Sequence, residues 1–161
     1  HRDAEGSGRR RRAHRRGETM TAILPDTEDP ETKAFWDATR EGRLVVQQCS
    51  HCQRLRFPPM PGCPECHSTK AGWKDVSGRA TLWSFNVVHG PTLPAFQDVV
   101  PFPVAIVSLA EAPHLRMLGN LISAPGAAIN SVDPATLKVG MPLRVSFRQV
   151  EDVALPCWVP E

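Results

Sequence analysis

Cys49, Cys52, Cys63 and Cys66 form two C-x-x-C pairs, CSHC and CPEC, with ten residues between them. A C-x-x-C step lets one tight turn of backbone aim two thiolates at an ion from the same side. Two such turns facing each other complete a tetrahedral set of four sulfurs. Soft thiolates favour zinc over magnesium or calcium, and iron accepts the same geometry. Four protein ligands leave no coordination position for water, so the expected role is structural, folding a segment too short to build its own core. His51 and His67 lie inside or beside the pairs, but a complete set of cysteines does not need them. The fifth cysteine, Cys157, follows a proline in an apolar stretch with no basic neighbour in view, and reads as a small buried thiol rather than a nucleophile.

The elements that must position these thiols are short. Sixteen prolines and eleven glycines in 161 residues favour brief segments and turns. Asp29, Pro30 and Glu31 form a helix-start signature, with Asp29 as N-cap and Pro30 at the first helical position. The following helix places Phe35, Ala38 and Thr39 on one side, and Gly42 ends it; Trp36 joins the same core or faces a partner. RLVVQQ (43–48) leads as a strand into the first cysteine pair. Beyond residue 70 the period changes towards two. RATLWSFNVV (79–88) carries Leu82 and Val88 on one face and Trp83, Phe85 and Val87 on the other. PVAIVSLA (103–110) and HLRMLGNLIS (114–123) form the next two strands, with a tight turn at Glu111–Pro113. MPLRVSFRQV (141–150) is a fourth strand. ALPCWVP (154–160) is expected as a last edge strand, where its prolines are tolerated. Asp133 caps a short turn through Pro134–Leu137 that Gly140 closes. Five strands with one short helical interruption suit a small Greek-key barrel of the OB-fold type, so the chain is expected to be mainly β.

Charge narrows the function classes. Seven arginines and three acids fall in residues 1–19; removing their net +4 from the chain's +2 leaves −2. A mildly acidic body argues against nucleic acid, whose binding needs a basic face that releases counterions. The stretch RRRRAHRR has no apolar run after it, which argues against a secretory signal or membrane anchor, and no segment is apolar enough to span a membrane. Residues 1–28 are expected to be a disordered linker or appended residues, with Met20 as a plausible start. Residues 29–72 are expected to hold the helix and zinc ribbon, and 73–161 the barrel. Unpaired cysteines without a secretory signal point to a reducing, cytoplasmic compartment.

The order of these pieces resembles one bacterial and archaeal family. The matching segments are FWDATREGRLVVQQCSHC (35–52), RFPPMPGCPEC (56–66), GRATLWSFNVVHGP (78–91), FPVAIVSLAE (102–111) and VGMPLRVSF (139–147). That family joins a rubredoxin-like zinc ribbon to an OB-fold and is associated with acyl-CoA metabolism. Its members commonly carry glycine directly after each knuckle; Gln53 and His67 occupy those places here. The resemblance implies a structural zinc ion and a non-catalytic accessory subunit of a thiolase-like acyl-CoA enzyme or acyltransferase. In the steroid-degrading branch it implies a thiolase-fold aldolase that cleaves a steroid side-chain acyl-CoA by a retro-aldol step. It further implies a heterotetramer around the partner's dimer and fusion to, or association with, a MaoC-type hydratase. A chain beginning at His1 would then be an excised C-terminal domain.

Two groups are candidates for contact with coenzyme A or a partner. Arg43, Arg54, Arg56, Lys70 and Lys74 lie around the ribbon and could meet phosphates, although a solvated charged face explains them equally well. Phe96 and Phe102 belong to the proline-rich loop 89–103, long enough to be functional, where exposed aromatics would anchor an interface; ordinary barrel capping is the alternative. A single-stranded nucleic-acid platform built on Trp83 and Phe85 is the competing function, but few basic residues interleave with them. For a catalytic chain there is little support: no nucleophile with a base at recognisable spacing, no phosphate loop and no H-E-x-x-H, while His89 and His114 are isolated.

Overall fold

The computed structural model describes residues 23–161; the expectations for the arginine-rich start and Met20 lie outside them. Among the described residues there is one α-helix, α1, which runs Lys33–Arg40. It begins later than the capping signature implies because Pro30–Thr32 form a turn of their own. The Asp29 carboxylate accepts from the Glu31 amide (2.9 Å), and its carbonyl accepts from Thr32 and Lys33 (3.0 and 2.7 Å). Thr32 therefore stands at the N-cap. The C-terminus follows the expectation: Gly42 takes φ +74°, and the Arg43 amide turns back to the Ala38 carbonyl at 2.9 Å. Phe35, Ala38 and Thr39 are buried, and Trp36 packs against the same core.

Strands β1 (Leu44–Cys49), β2 (Leu55–Arg56) and β3 (Ala71–Val76) form an antiparallel ribbon sheet in the order β2-β1-β3. No strand was anticipated at β3, whose outward positions lack an alternating apolar pattern. It is nevertheless paired with β1 from Leu44–Val76 to Cys49–Ala71, and carries the ribbon sheet across the boundary expected at 72/73.

The remaining strands are β4 (Arg79–Val88), β5 (Phe102–Leu109), β6 (Ala112–Leu121), β7 (Pro142–Val150) and β8 (Val153–Pro160). They close a five-stranded barrel in the order β4-β5-β6-β8-β7. The β5–β6 turn is tighter than expected: Leu109 pairs with Ala112, leaving Ala110 and Glu111 at its tip. β8 is no edge strand. Trp158 pairs with Val145 of β7 on one side and, in parallel, with Leu121 of β6 on the other. Its prolines are tolerated because the β6 pairing covers only Cys157 and Trp158, away from Pro156 and Pro160.

One irregularity changes which residues face inward. The β4–β5 register steps from Leu82–Val107 to Ser84–Ile106, leaving Trp83 as an extra residue. A bulge reverses the in-out alternation beyond it. Leu82 and Phe85 therefore both pack on the core, and the face expected to combine Trp83 with Phe85 is broken up. Trp83 is 52% exposed, with the Arg116 guanidinium 4.6 Å from its ring centroid.

Barrel and ribbon share one hydrophobic cluster. Phe35, Ala38, Leu44 and Val46 belong to the same buried set as Leu82, Val107, Leu143 and Trp158. Polar links reinforce the junction: His114 Nε2 lies 3.0 Å from the Leu55 carbonyl, and Arg40 Nε donates to the Asp152 carbonyl at 3.3 Å. Among the described residues no helix is long and apolar enough to cross a membrane.

Candidate metal centre

The two knuckles are near copies in backbone. In the first, the Gln53 amide donates to the Cys49 carbonyl (3.0 Å); in the second, the His67 amide donates to the Cys63 carbonyl (2.9 Å). Each turn closes through a left-handed residue, Gln53 at φ +63° and His67 at φ +59°. These are the positions where glycine would be expected, and the backbone keeps the glycine-like conformation without it. A left-handed side-chain residue costs roughly 1–2 kcal/mol, partly offset by glycine's greater freedom when unfolded. His67 is exposed, so His67→Gly should retain the metal and stabilise the ribbon by up to about 1 kcal/mol. Chemical denaturation of the metal-loaded protein checks this.

The four Sγ atoms lie within 4.8 Å of one another, with Cys49–Cys66 and Cys52–Cys63 each at 3.6 Å. A tetrahedral ion with sulfur about 2.3 Å away needs S···S separations of about 3.8 Å, so the cluster has the dimensions of a zinc site. Backbone amides support anionic sulfur. The Cys52 and His51 amides help pull the Cys49 thiol down to about 6, and the Cys66 and Glu65 amides lower Cys63. Cys52 goes the other way: the Arg54 amide favours its thiolate, but burial and the Cys63, Cys66 and Cys49 sulfurs together push it up to about 12. Four crowded thiolates cannot all be anionic on their own. A bound dication removes that conflict, and the donor set fits zinc.

The segment between the knuckles is held by a buried clip. Gln47 Oε1 accepts from Arg56 Nε and from the Met60 amide (3.1 Å), while Arg56 Nη2 donates to the Met60 carbonyl (3.2 Å). Arg56 is only 3% exposed, so this side chain is an internal strut rather than part of a charged surface. The Phe57–Pro58 bond is cis, and the Phe57 ring sits 5.4 Å from Phe35, tying the FPP segment to α1. The other cations divide. Arg43 is paired with Glu41 (2.7 Å) and Asp75 (2.6 Å), and Arg54 with Glu65 (3.3 Å). Lys70 and Lys74 are exposed and make no ion pair among the described residues.

Phe102 is also placed differently from the expectation of an exposed contact residue. It begins β5 and is 6% exposed, with Phe96 resting half-buried on it at 5.7 Å. Leu93, 55% exposed, is the outward apolar residue of that loop. Cys157 is buried as expected, but it has a basic neighbour that the local sequence hides: Arg148, brought alongside by the β7–β8 pairing. Burial pushes the Cys157 thiol up, and the Arg148 guanidinium opposes that only in part. At pH 8, iodoacetamide should therefore leave Cys157 unmodified in the native protein and label it after denaturation, as peptide mass mapping would show.

With this geometry established, comparison with known proteins is specific. The rubredoxin-like zinc ribbon domain of ChsH2 matches residues 36–70, and the C-terminal OB-fold domain of ChsH2 matches residues 73–148. The chain belongs to the ChsH2 zinc-ribbon and OB-fold family. Within this DUF35-type family it is 34% identical over 140 residues to the 3-oxo-4,17-pregnadiene-20-carboxyl-CoA hydratase alpha subunit of Mycobacterium tuberculosis. It is 32% identical over 141 residues to a probable enoyl-CoA hydratase alpha subunit of Thermomonospora curvata. Those alignments cover 87% and 86% of this chain but only 41% and 40% of the relatives, so the chain spans about two-fifths of their length. A DUF35 domain-containing scaffold protein of Methanothermobacter thermautotrophicus is 29% identical over 110 residues, covering 68% of this chain and 74% of that protein. Among solved structures, a chain of an Ltp2-ChsH2(DUF35) aldolase superposes with a TM-score of 0.70 at 30% identity, covering 82% of this chain and 95% of that one. A DUF35 protein of unknown function from Sulfolobus solfataricus, 13% identical with a TM-score of 0.57, shares the fold.

Proposed function

We propose that this ChsH2-family chain is a non-catalytic accessory subunit of a thiolase-fold acyl-CoA enzyme, with zinc as its structural ion. The partner in this reading is an aldolase that cleaves a steroid side-chain acyl-CoA by a retro-aldol step in the cytoplasm. The observation that carries it is the similarity to the Ltp2-ChsH2 aldolase chain, which this chain matches over nearly that chain's whole length. Four cysteine ligands leave no site for substrate at the metal, which agrees with chemistry residing in another subunit. The hydratase names of the two bacterial relatives support a polypeptide, or an assembly, in which a MaoC-type hydratase accompanies this domain. Two copies around a partner dimer would give a heterotetramer.

The cations around the ribbon offer little to a coenzyme A phosphate, since Arg43 and Arg54 are engaged and Arg56 is internal; Lys70 and Lys74 remain as contacts. The outer barrel wall offers a partner apolar area instead. Leu118 (64% exposed) pairs with Ile106 of β5, and Trp83 (52% exposed) emerges from the bulge on neighbouring β4. Exposed apolar groups of this kind mark contact surfaces. The decisive experiment is co-expression with a thiolase-fold acyl-CoA aldolase from the same organism, followed by an aldol-cleavage assay with and without the chain. The expected result is co-purification and cleavage that depends on both, with Leu118→Glu weakening co-purification without changing metal content. A partner fully active alone would overturn the reading.

A further inference from the structure

A second chemical feature lies on the far side of the barrel wall from its core. A groove of about 640 Å3 runs where β6, β7 and β8 meet the loops that cross them. Its apolar walls come from Phe96 and Val99 of the 89–101 loop, Ile129 of the β6–β7 connection, and Val150 and Leu155 of the β7–β8 hairpin. The cation in this lining is Arg148. Among the described residues its buried Nε has no hydrogen-bond partner, and none of their ion pairs includes it. The neighbouring Cys157 thiol is a poor substitute for an oxygen acceptor.

A guanidinium among apolar walls gains most from one ligand group, a carboxylate, whose two oxygens match its fork of donors and neutralise its charge. The volume lies in the range of small-molecule sites, about 300–1,000 Å3. The charge balance sets the rest. With one cation, Arg148, and one acid, the exposed Asp98, in its lining, the groove favours a ligand with a single negative charge and disfavours the several phosphates of a nucleotide. We propose that this groove binds an amphipathic monocarboxylate, its carboxylate on Arg148 and its hydrocarbon body along Phe96, Val99, Ile129 and Leu155. The proposal does not rest on the accessory-subunit reading, and either can fail alone.

The test is calorimetric titration of the full, metal-loaded chain with decanoate, decan-1-ol and coenzyme A, alongside the NMR signal of the Arg148 Nε–H. Decanoate should bind at one site and shift that signal, while the alcohol, lacking the charged acceptor, should bind about tenfold or more weakly. Arg148→Met should abolish the preference, leaving acid and alcohol within about twofold of each other. Ala128→Trp, at an exposed position on the groove wall, should block both ligands while leaving Tm and metal content unchanged. Absence of decanoate binding, equal affinity for acid and alcohol, a preference that survives Arg148→Met, or tighter binding of coenzyme A than of decanoate would each overturn the proposal.

Discussion

Cys63→Ser is expected to abolish metal binding and lower Tm by at least about 10 °C, because it removes a ligand from the ribbon and a support from the barrel at once. Cys63 is 2% exposed and lies 3.6 Å from Cys52, with its carbonyl closing the second knuckle onto His67. Serine at this position offers a weak alkoxide donor where the ion needs a soft thiolate, and three sulfurs remain crowded without a dication to balance them. The damage should not stay local. β1 enters the first knuckle at Cys49, and its Leu44, Val45 and Val46 belong to the core shared with the barrel. Metal analysis should therefore fall from one equivalent towards zero, and hydrogen exchange should quicken in β1–β3 and also where α1 meets β8. Exchange confined to residues 49–66, with barrel stability unchanged, would show the ribbon to be energetically separate.

Trp158→Ala is expected to destabilise the barrel by about 3–5 kcal/mol, a large share of the roughly 5–15 kcal/mol that holds a domain together. Trp158 heads the fully buried side chains, is 0% exposed, and stands where β8 joins β6 and β7. Its ring needs the bare backbone of Gly119: a Cβ there would meet Trp158 Nε1 at 2.8 Å and the Pro156 carbonyl at 2.9 Å. Gly119→Ala alone should cost about 1–3 kcal/mol through overpacking. The double variant should cost less than the sum, since the smaller residue at 158 relieves the ring clash while the Pro156 contact remains. Chemical denaturation of the two single variants and the pair measures that coupling, and strict additivity would mean the two sites do not touch.

Much of the metal centre was legible because its geometry is local. Two C-x-x-C steps specify two tight turns, and the glycine-like φ at Gln53 and His67 follows from the closing bond of each turn rather than from the residue type. The end of α1 at Gly42 and the Asp133 turn, where the carboxylate accepts from the Ala135 amide at 2.9 Å, are equally short-range devices. The contact residues were harder to read. Arg56 and Phe102 look like surface groups in a charged stretch and a proline-rich loop, yet both are buried, because Gln47 and the barrel wall reach them from elsewhere in the chain.

The four cysteines of the metal centre, the short helix, the five barrel strands and the family to which they belong were all readable from local residue patterns. Their types and spacings act over a few residues, where backbone geometry leaves little choice. Tertiary structure alone decided the inward face of β4, because one bulged tryptophan reverses every side chain after it. It also decided the closure of the barrel through β8, the pairing of β3 with β1, and the approach of Arg148 to Cys157 across the β7–β8 hairpin. Each depends on which strand lies alongside which, and that is settled by shared burial between distant segments rather than by any local pattern.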